Sequence, residues 1–303
     1  MMRTQLTLMI LLVCSSWVWS YSTEKAGFTI EVNGELNPYK VFSVFVMPGA
    51  SFSVTSDVTL DCVSDRLLTQ PTDQGWQVTA PEKSGAYSLR LAFGTLTMKL
   101  NVLVLTPLTQ MKGEYLNGYR LGNYPAKALR GNPIYHKPDG LFEVTMENQD
   151  LQLTPHFTLK QFLCKQVGAF PKYLIVRERL LLKLEYLLEK VNEHDISSET
   201  FGFISGYRTP FYNASIKNVQ YSRHVYGGAA DIYIDQDRDG RMDDLNRDGI
   251  INEKDVRVFH QIVEGEFGKP TYDKYKGGLG FYRKNGRHHG FIHVDVRGTR
   301  ARW

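Results

Sequence analysis

The apolar period of this chain changes once along its length, and that change limits the folds open to it. Between residues 26 and 105, apolar side chains recur at every second position in short runs. Phe28-Thr-Ile-Glu-Val32 alternates and then turns at Asn33-Gly34. Val41 to Val46 is a β-branched and aromatic run that stops at Pro48-Gly49. Tyr87 to Leu105 alternates again, with Leu89, Leu91, Phe93, Leu96 and Met98 as the expected inward set. Short strands separated by turn residues predict a small all-β sandwich, immunoglobulin-like, over residues 21–105. From Tyr173 to Val191 the period becomes helical. Leu174, Leu181, Leu184, Leu187 and Leu188 share one face, with Arg177, Glu178, Lys183 and Lys190 elsewhere. A shorter helix is expected after Thr158 as N-cap, carrying Leu159, Phe162 and Leu163. Residues 106–150, rich in Gly, Pro, Asn and Tyr, read as an irregular connector. The expected fold class is therefore α+β: a β-sandwich, a connector, and a mixed domain over residues 151–303.

The first 20 residues follow a separate logic. Met1 to Arg3 is a short positive start, Leu6 to Val13 is apolar and uncharged, and Val18 and Ser20 stand at the −3 and −1 positions of a cleavage site. This pattern predicts a secretory signal peptide removed near Ser20, and so a periplasmic or secreted protein. A membrane span needs about 20 apolar residues, and no later stretch reaches that. With 42% hydrophobic and 22% charged residues, the chain as a whole is ordinary for a folded protein. Its net charge of +4 falls by one with Arg3, a balance that gives no pointer to nucleic acid. Of three cysteines, Cys62 and Cys164 survive cleavage. Export permits a bridge, but they fall in different expected domains and are read as two separate buried thiols.

The chemistry concentrates after residue 203. Phe203-Ile-Ser-Gly-Tyr-Arg208 is a short strand ending in Gly and Arg, followed by Ser222-Arg-His224, the small run Gly227 to Ala230, and Asp231-Ile-Tyr-Ile234. Near the end stands Gly290-Phe-Ile-His-Val-Asp-Val296. A catalytic zinc site uses three nitrogen or oxygen ligands and leaves a position open. His224, Asp231 and His293 supply that set if their two strands are neighbours. Alternation puts His293 and Asp295 on one face.

Ser205-Gly-Tyr-Arg-Thr-Pro210, Asn213, Ser222-Arg-His224, Gly227, Ala230-Asp-Ile232 and His293-Val-Asp295 resemble the peptidase M15 family of zinc D-Ala-D-Ala carboxypeptidases and murein peptidases. The likeness is to the subfamily A type of C-terminal domain, over residues 150–303. It implies a Hedgehog-like metallopeptidase core, Zn2+ on His224, Asp231 and His293, and cleavage of peptide bonds in peptidoglycan stems. It also implies a substrate-binding role for Arg208, with Tyr207 and Ser222 beside it. The family's acid, three residues before the last ligand, falls on Gly290 here. Asp295, His288 and His289 are the residues left to act as base, and Asp295 has the alternative of orienting His293. A metal-containing wall-binding protein without catalysis, or a calcium-dependent adhesive protein, are the rival readings.

An acidic insert spans residues 235–255. Asp244, Asn246, Asp248, Gly249 and Asp255 take positions 1, 3, 5, 6 and 12 of a calcium loop. Asp235, Asp237 and Asp239 begin a second, overlapping loop nine residues earlier. Hard oxygen donors at alternate positions favour Ca2+, and the second segment matches the pattern better.

Overall fold

The computed structural model describes residues 21–286 and 288–303. The signal-peptide reading of residues 1–20 lies outside the described residues. The chain is mixed α+β, mostly sheet with few helices. No helix among the described residues is long and apolar enough to cross a membrane.

The N-terminal region forms two sheets. One has five strands in the order Glu35–Tyr39, Lys25–Val32, Ser51–Ser56, Gly75–Thr79, Leu68–Thr72. The other has four, in the order Val41–Val46, Leu96–Val104, Gly85–Phe93, Asp61–Val63, with the first pair parallel. The alternation does its expected work: Ile30, Val54 and Val78 of one sheet and Val44, Leu89 and Leu100 of the other are fully buried. Asn33 and Gly34 both take positive φ, which suits the twist of a two-residue hairpin. Phe93 and Leu96 depart from expectation and are exposed. They pair with each other beside the turn at Gly94, where the hairpin end leaves both partly open to solvent. Cys62 and Cys164 are free thiols; Cys164 is buried and Cys62 half-buried.

The stretch 106–150 is more than a connector. Thr106–Pro107 pairs with Gly140–Leu141, and Gly140–Val144 pairs with Lys172–Leu174. Leu116, Leu121 and Phe142 are buried within it. That pairing also corrects the helix start. Tyr173 and Leu174 belong to a strand, and helix α2 runs over Glu178–Glu193, after helix α1 over Leu159–Phe162. At the start of α1 the Thr158 N–H donates to Gln161 Oε1 (2.8 Å), half of a capping box.

Helix α2 is covered on two sides. Tyr39 donates its hydroxyl to Glu189 and Arg179 pairs with Glu35, which docks the N-terminal sheets onto the helix. Glu185 is fully buried against His156. Lys183, expected on the polar side, is also fully buried and donates to the backbone carbonyl of Asp295 at 2.7 Å. The helix therefore touches the strand that carries the candidate site.

That strand lies in the C-terminal sheet, ordered Phe201–Ser205, Ala229–Ile234, Phe291–Asp295, Gly278–Tyr282, Ala301–Arg302. Helix α3 spans Pro210–Ser215, and helix α4, Glu253–Glu264, packs on the sheet.

Candidate metal centre

Strand register brings the candidate ligands together. Asp231 pairs directly with His293 across neighbouring antiparallel strands, and Ser205 pairs with Asp231 on the other side. His224 arrives from a short 3-10 turn, Arg223–Tyr226, which ends at Gly227 with φ of 66°. A side chain at Gly227 would meet the Ile175 carbonyl oxygen at 2.4 Å, so this turn requires glycine.

Three ligand atoms converge. His224 Nε2 lies 3.1 Å from Asp231 Oδ1 and 3.2 Å from His293 Nδ1, and His293 Nδ1 lies 2.8 Å from Asp231 Oδ1. Tetrahedral zinc with bonds near 2.0–2.1 Å sets its ligands about 3.3 Å apart, close to this triangle. The outer contacts fix which lone pairs point inward. His224 Nδ1 is 2.7 Å from the Gly206 carbonyl oxygen and therefore donates. His293 Nε2 is 3.2 Å from Asp295 Oδ2 and donates to it. Two imidazole nitrogens and a carboxylate oxygen then face one point, a group that could hold a metal ion. All three residues are buried.

Burial works to raise the Asp231 pKa, but the charges and hydrogen bonds of His224 and His293 hold it well below the usual carboxylate range. Burial pushes His224 below its ordinary value. For His293 burial acts downward, and hydrogen bonds to the carboxylates of Asp231 and Asp295 overcome it and raise the value.

Asp295 sits behind His293. It is fully buried, and its oxygens accept from His293, the Arg297 guanidinium and the N–H groups of Gly278 and Arg297. Burial pushes its pKa up, but His293 and Arg297 hold it far below the carboxylate range. An ionised carboxylate with its lone pairs engaged and no solvent contact does not exchange protons with a substrate. It is placed as the orienting alternative weighed from sequence requires, behind His293 and off the cavity wall, and not where a base would stand.

The group opens on a cavity of about 1000 Å³ whose wall includes Arg208, Ser222, His288, His289 and Trp303. Arg208 is turned onto a ligand: Nη2 donates to Asp231 Oδ2 at 2.5 Å and Nε to Ser205 Oγ at 2.7 Å. Ser222 lines the cavity as expected. Tyr207 does not; it is buried, and its hydroxyl bonds that of Tyr124 at 2.7 Å. The strand ends at Ser205 and the chain is pressed against Phe162 at Gly206, which turns Tyr207 inward. At Gly290 an added Cβ would meet Val256 Cγ2 at 2.2 Å, so the family's acid position points into helix α4 and has no room for a side chain. His288 spends both ring nitrogens on its loop, Nδ1 on the His289 carbonyl and Nε2 on Asn285. The His289 ring lies 5.9 Å from that of Tyr233.

The acidic insert repeats one turn twice, nine residues apart. Arg238 and Arg247 take φ of 62° and 60°, and Gly240 and Gly249 take 82° and 83°. Each glycine N–H donates to the first aspartate of its segment, Asp235 and Asp244. Asp235, Asp237 and Asp239 bring ligand oxygens within 4.8 Å of one another. Asp244, Asp248 and Asp255 do not form such a group, although hydrogen bonds draw Asp244, Asn246 and Asp248 together. Asp255 is drawn into the cap of α4, its oxygens accepting from the N–H groups of Leu245, Asn246 and Asn252, and Lys254 occupies Asp248.

Sequence reasoning missed Lys183, Arg223 and Arg297. Lys183 is three residues after Leu180 and four before Leu187, a spacing that places it on a buried face. No family model matches this chain, and neither a curated protein nor a solved structure matches it.

Proposed function

We propose that this protein is an exported zinc peptidase that hydrolyses peptide bonds in peptidoglycan stem peptides. The observation that carries the reading is the inward triangle of His224 Nε2, Asp231 Oδ1 and His293 Nδ1 on the wall of an open cavity. The resemblance of residues 150–303 to M15 peptidases with a Hedgehog-like core supports it. Three ligands of this kind leave one position free, which separates a catalytic zinc site from a structural one. Zinc held there supplies Lewis acidity for a water nucleophile and for the amide carbonyl. Asp295 and Arg297 keep His293 in the tautomer that presents Nδ1. Arg208 neutralises the outer oxygen of Asp231 and faces the cavity from that side. Proton transfer falls to a cavity histidine, and His289 suits it better than His288, whose nitrogens are both engaged. Calcium at Asp235, Asp237 and Asp239 would brace the segment directly after the Asp231 strand.

The test is digestion of purified peptidoglycan by the parent and by His224→Ala, followed by mass analysis of the muropeptides. Peptide loss by the parent alone is expected; equal products from both would refute the reading. The inability of Gly290 to carry the usual acid favours a second reading, a wall-binding protein that keeps the metal. Wall bound by the parent and never shortened would decide for it.

A further inference from the structure

The cavity wall is unbalanced in charge. Lys165, Arg208, Arg223 and Arg297 line it, and Asp231 is the sole carboxylate among its lining residues. Two of these cations are neutralised, Arg208 by Asp231 and Arg297 by Asp295. The other two are not. Lys165 makes no hydrogen bond or ion pair among the described residues, and the charges that act on it are those of Asp231 and Arg208. Arg223 is 3% exposed. Its Nη1 donates to the Ile134 carbonyl, while Nε and Nη2 meet no acceptor. Its electrostatic neighbours are Arg177, Asp295, Tyr135 and Arg297.

A buried guanidinium with two idle donors and no carboxylate paired to it is costly unless something else satisfies it. The position of the two unpaired cations is informative. A chain of hydrogen bonds runs from Arg208 through Asp231, His293 and Asp295 to Arg297. Lys165 stands at the Arg208 end and Arg223 at the Arg297 end, with the metal ligands between them.

We propose that Lys165 and Arg223 are two anion-binding poles of this cavity, which select a peptide carrying a carboxylate on each side of the bond presented to the metal ligands. The inference deepens the peptidase reading and rests on it for the placing of that bond. Guanidinium suits the carboxylate that is to be fully enclosed, because its planar fork takes both oxygens. The Arg223 guanidinium carbon lies over the Tyr135 ring, 4.9 Å from its centre. The mobile ammonium of Lys165 suits the more open end.

The experiment is calorimetric titration of the metal-loaded protein with acetyl-Glu-Ala-Ala, its Gln analogue, its C-terminal carboxamide, and the form carrying both changes. Parent protein is expected to bind the diacid about tenfold or more tighter than either monoacid. Lys165→Ala should abolish the preference at one carboxylate only, and Arg223→Lys should weaken it at the other. Equal binding of diacid and doubly neutral peptide by the parent overturns the proposal. So does a Lys165→Ala variant that weakens all four peptides equally. Binding is read apart from cleavage: a carboxylate preference without any hydrolysis would sink the peptidase reading and leave the two poles standing.

Discussion

Asp231 and His293 form one rung of an antiparallel ladder, with Oδ1 and Nδ1 2.8 Å apart. The rung is set by strand register, so the separation of the two ligands is fixed by backbone hydrogen bonds. His224 is the third point, delivered by a glycine-dependent turn. A site mounted in this way is rigid before any ion arrives, which keeps the ordering cost of binding low.

Asp295→Asn tests the role of the residue behind His293. The amide keeps the shape but loses the charge that fixes the imidazole tautomer. Zinc affinity is expected to fall by about 10–100-fold with the fold intact. Competition with a chromophoric chelator reads this directly; an unchanged affinity would remove Asp295 from the site.

Arg208→Ala separates structural from metal charge compensation. The Arg208–Asp231 pair is buried on both sides. In metal-free protein, loss of one partner should cost about 3 kcal/mol of stability. With zinc bound, the ion supplies the missing positive charge and the loss should be clearly smaller. Urea unfolding of both forms gives the comparison, and equal losses would contradict the account.

The insert predicts a calcium dependence that leaves zinc alone. An ion held by Asp235, Asp237 and Asp239 stabilises the native state by mass action, about 2.7 kcal/mol at a hundredfold excess over its dissociation constant. Removing calcium with EGTA should lower the melting temperature, and Asp237→Ala should abolish that difference. A melting curve indifferent to calcium in the parent rules the site out.

His156 and Glu185 tie the chain before α1 to helix α2. Burial lowers the His156 pKa, but its hydrogen bond and charge interaction with Glu185 outweigh this and raise it. The folded state therefore binds the proton more tightly than the unfolded chain. The pair's contribution is complete below the unfolded value near 6.5 and is lost as pH rises through the higher folded value. The stability difference between the parent and His156→Gln should shrink over that interval. A difference that is flat or grows with pH would show that the pair is not charged.

The candidate metal group was legible through the resemblance of residues 205–210, 222–224, 230–232 and 293–295 to M15 peptidases; spacing alone, with six residues between His224 and Asp231 and His293 in an apolar strand, left it open. The two N-terminal sheets were legible from alternation. What failed depended on tertiary neighbours. Tyr173 and Leu174 satisfy a helical period but find a strand partner in Phe142 and Glu143. Lys183 looks solvated until both sides of α2 are covered. Tyr207 is aimed inward by a close approach at Gly206 that no motif encodes. Asp255 fits a calcium loop by position, yet it caps a helix because three backbone N–H groups reach it first.

The most direct measurement is elemental analysis of the purified protein, counting zinc per chain in the parent and in His293→Ala. The account predicts about one tightly held zinc in the parent and none in the variant, with both remaining folded by circular dichroism. A folded parent that holds no zinc after exposure to it, or a variant that holds as much, would contradict it.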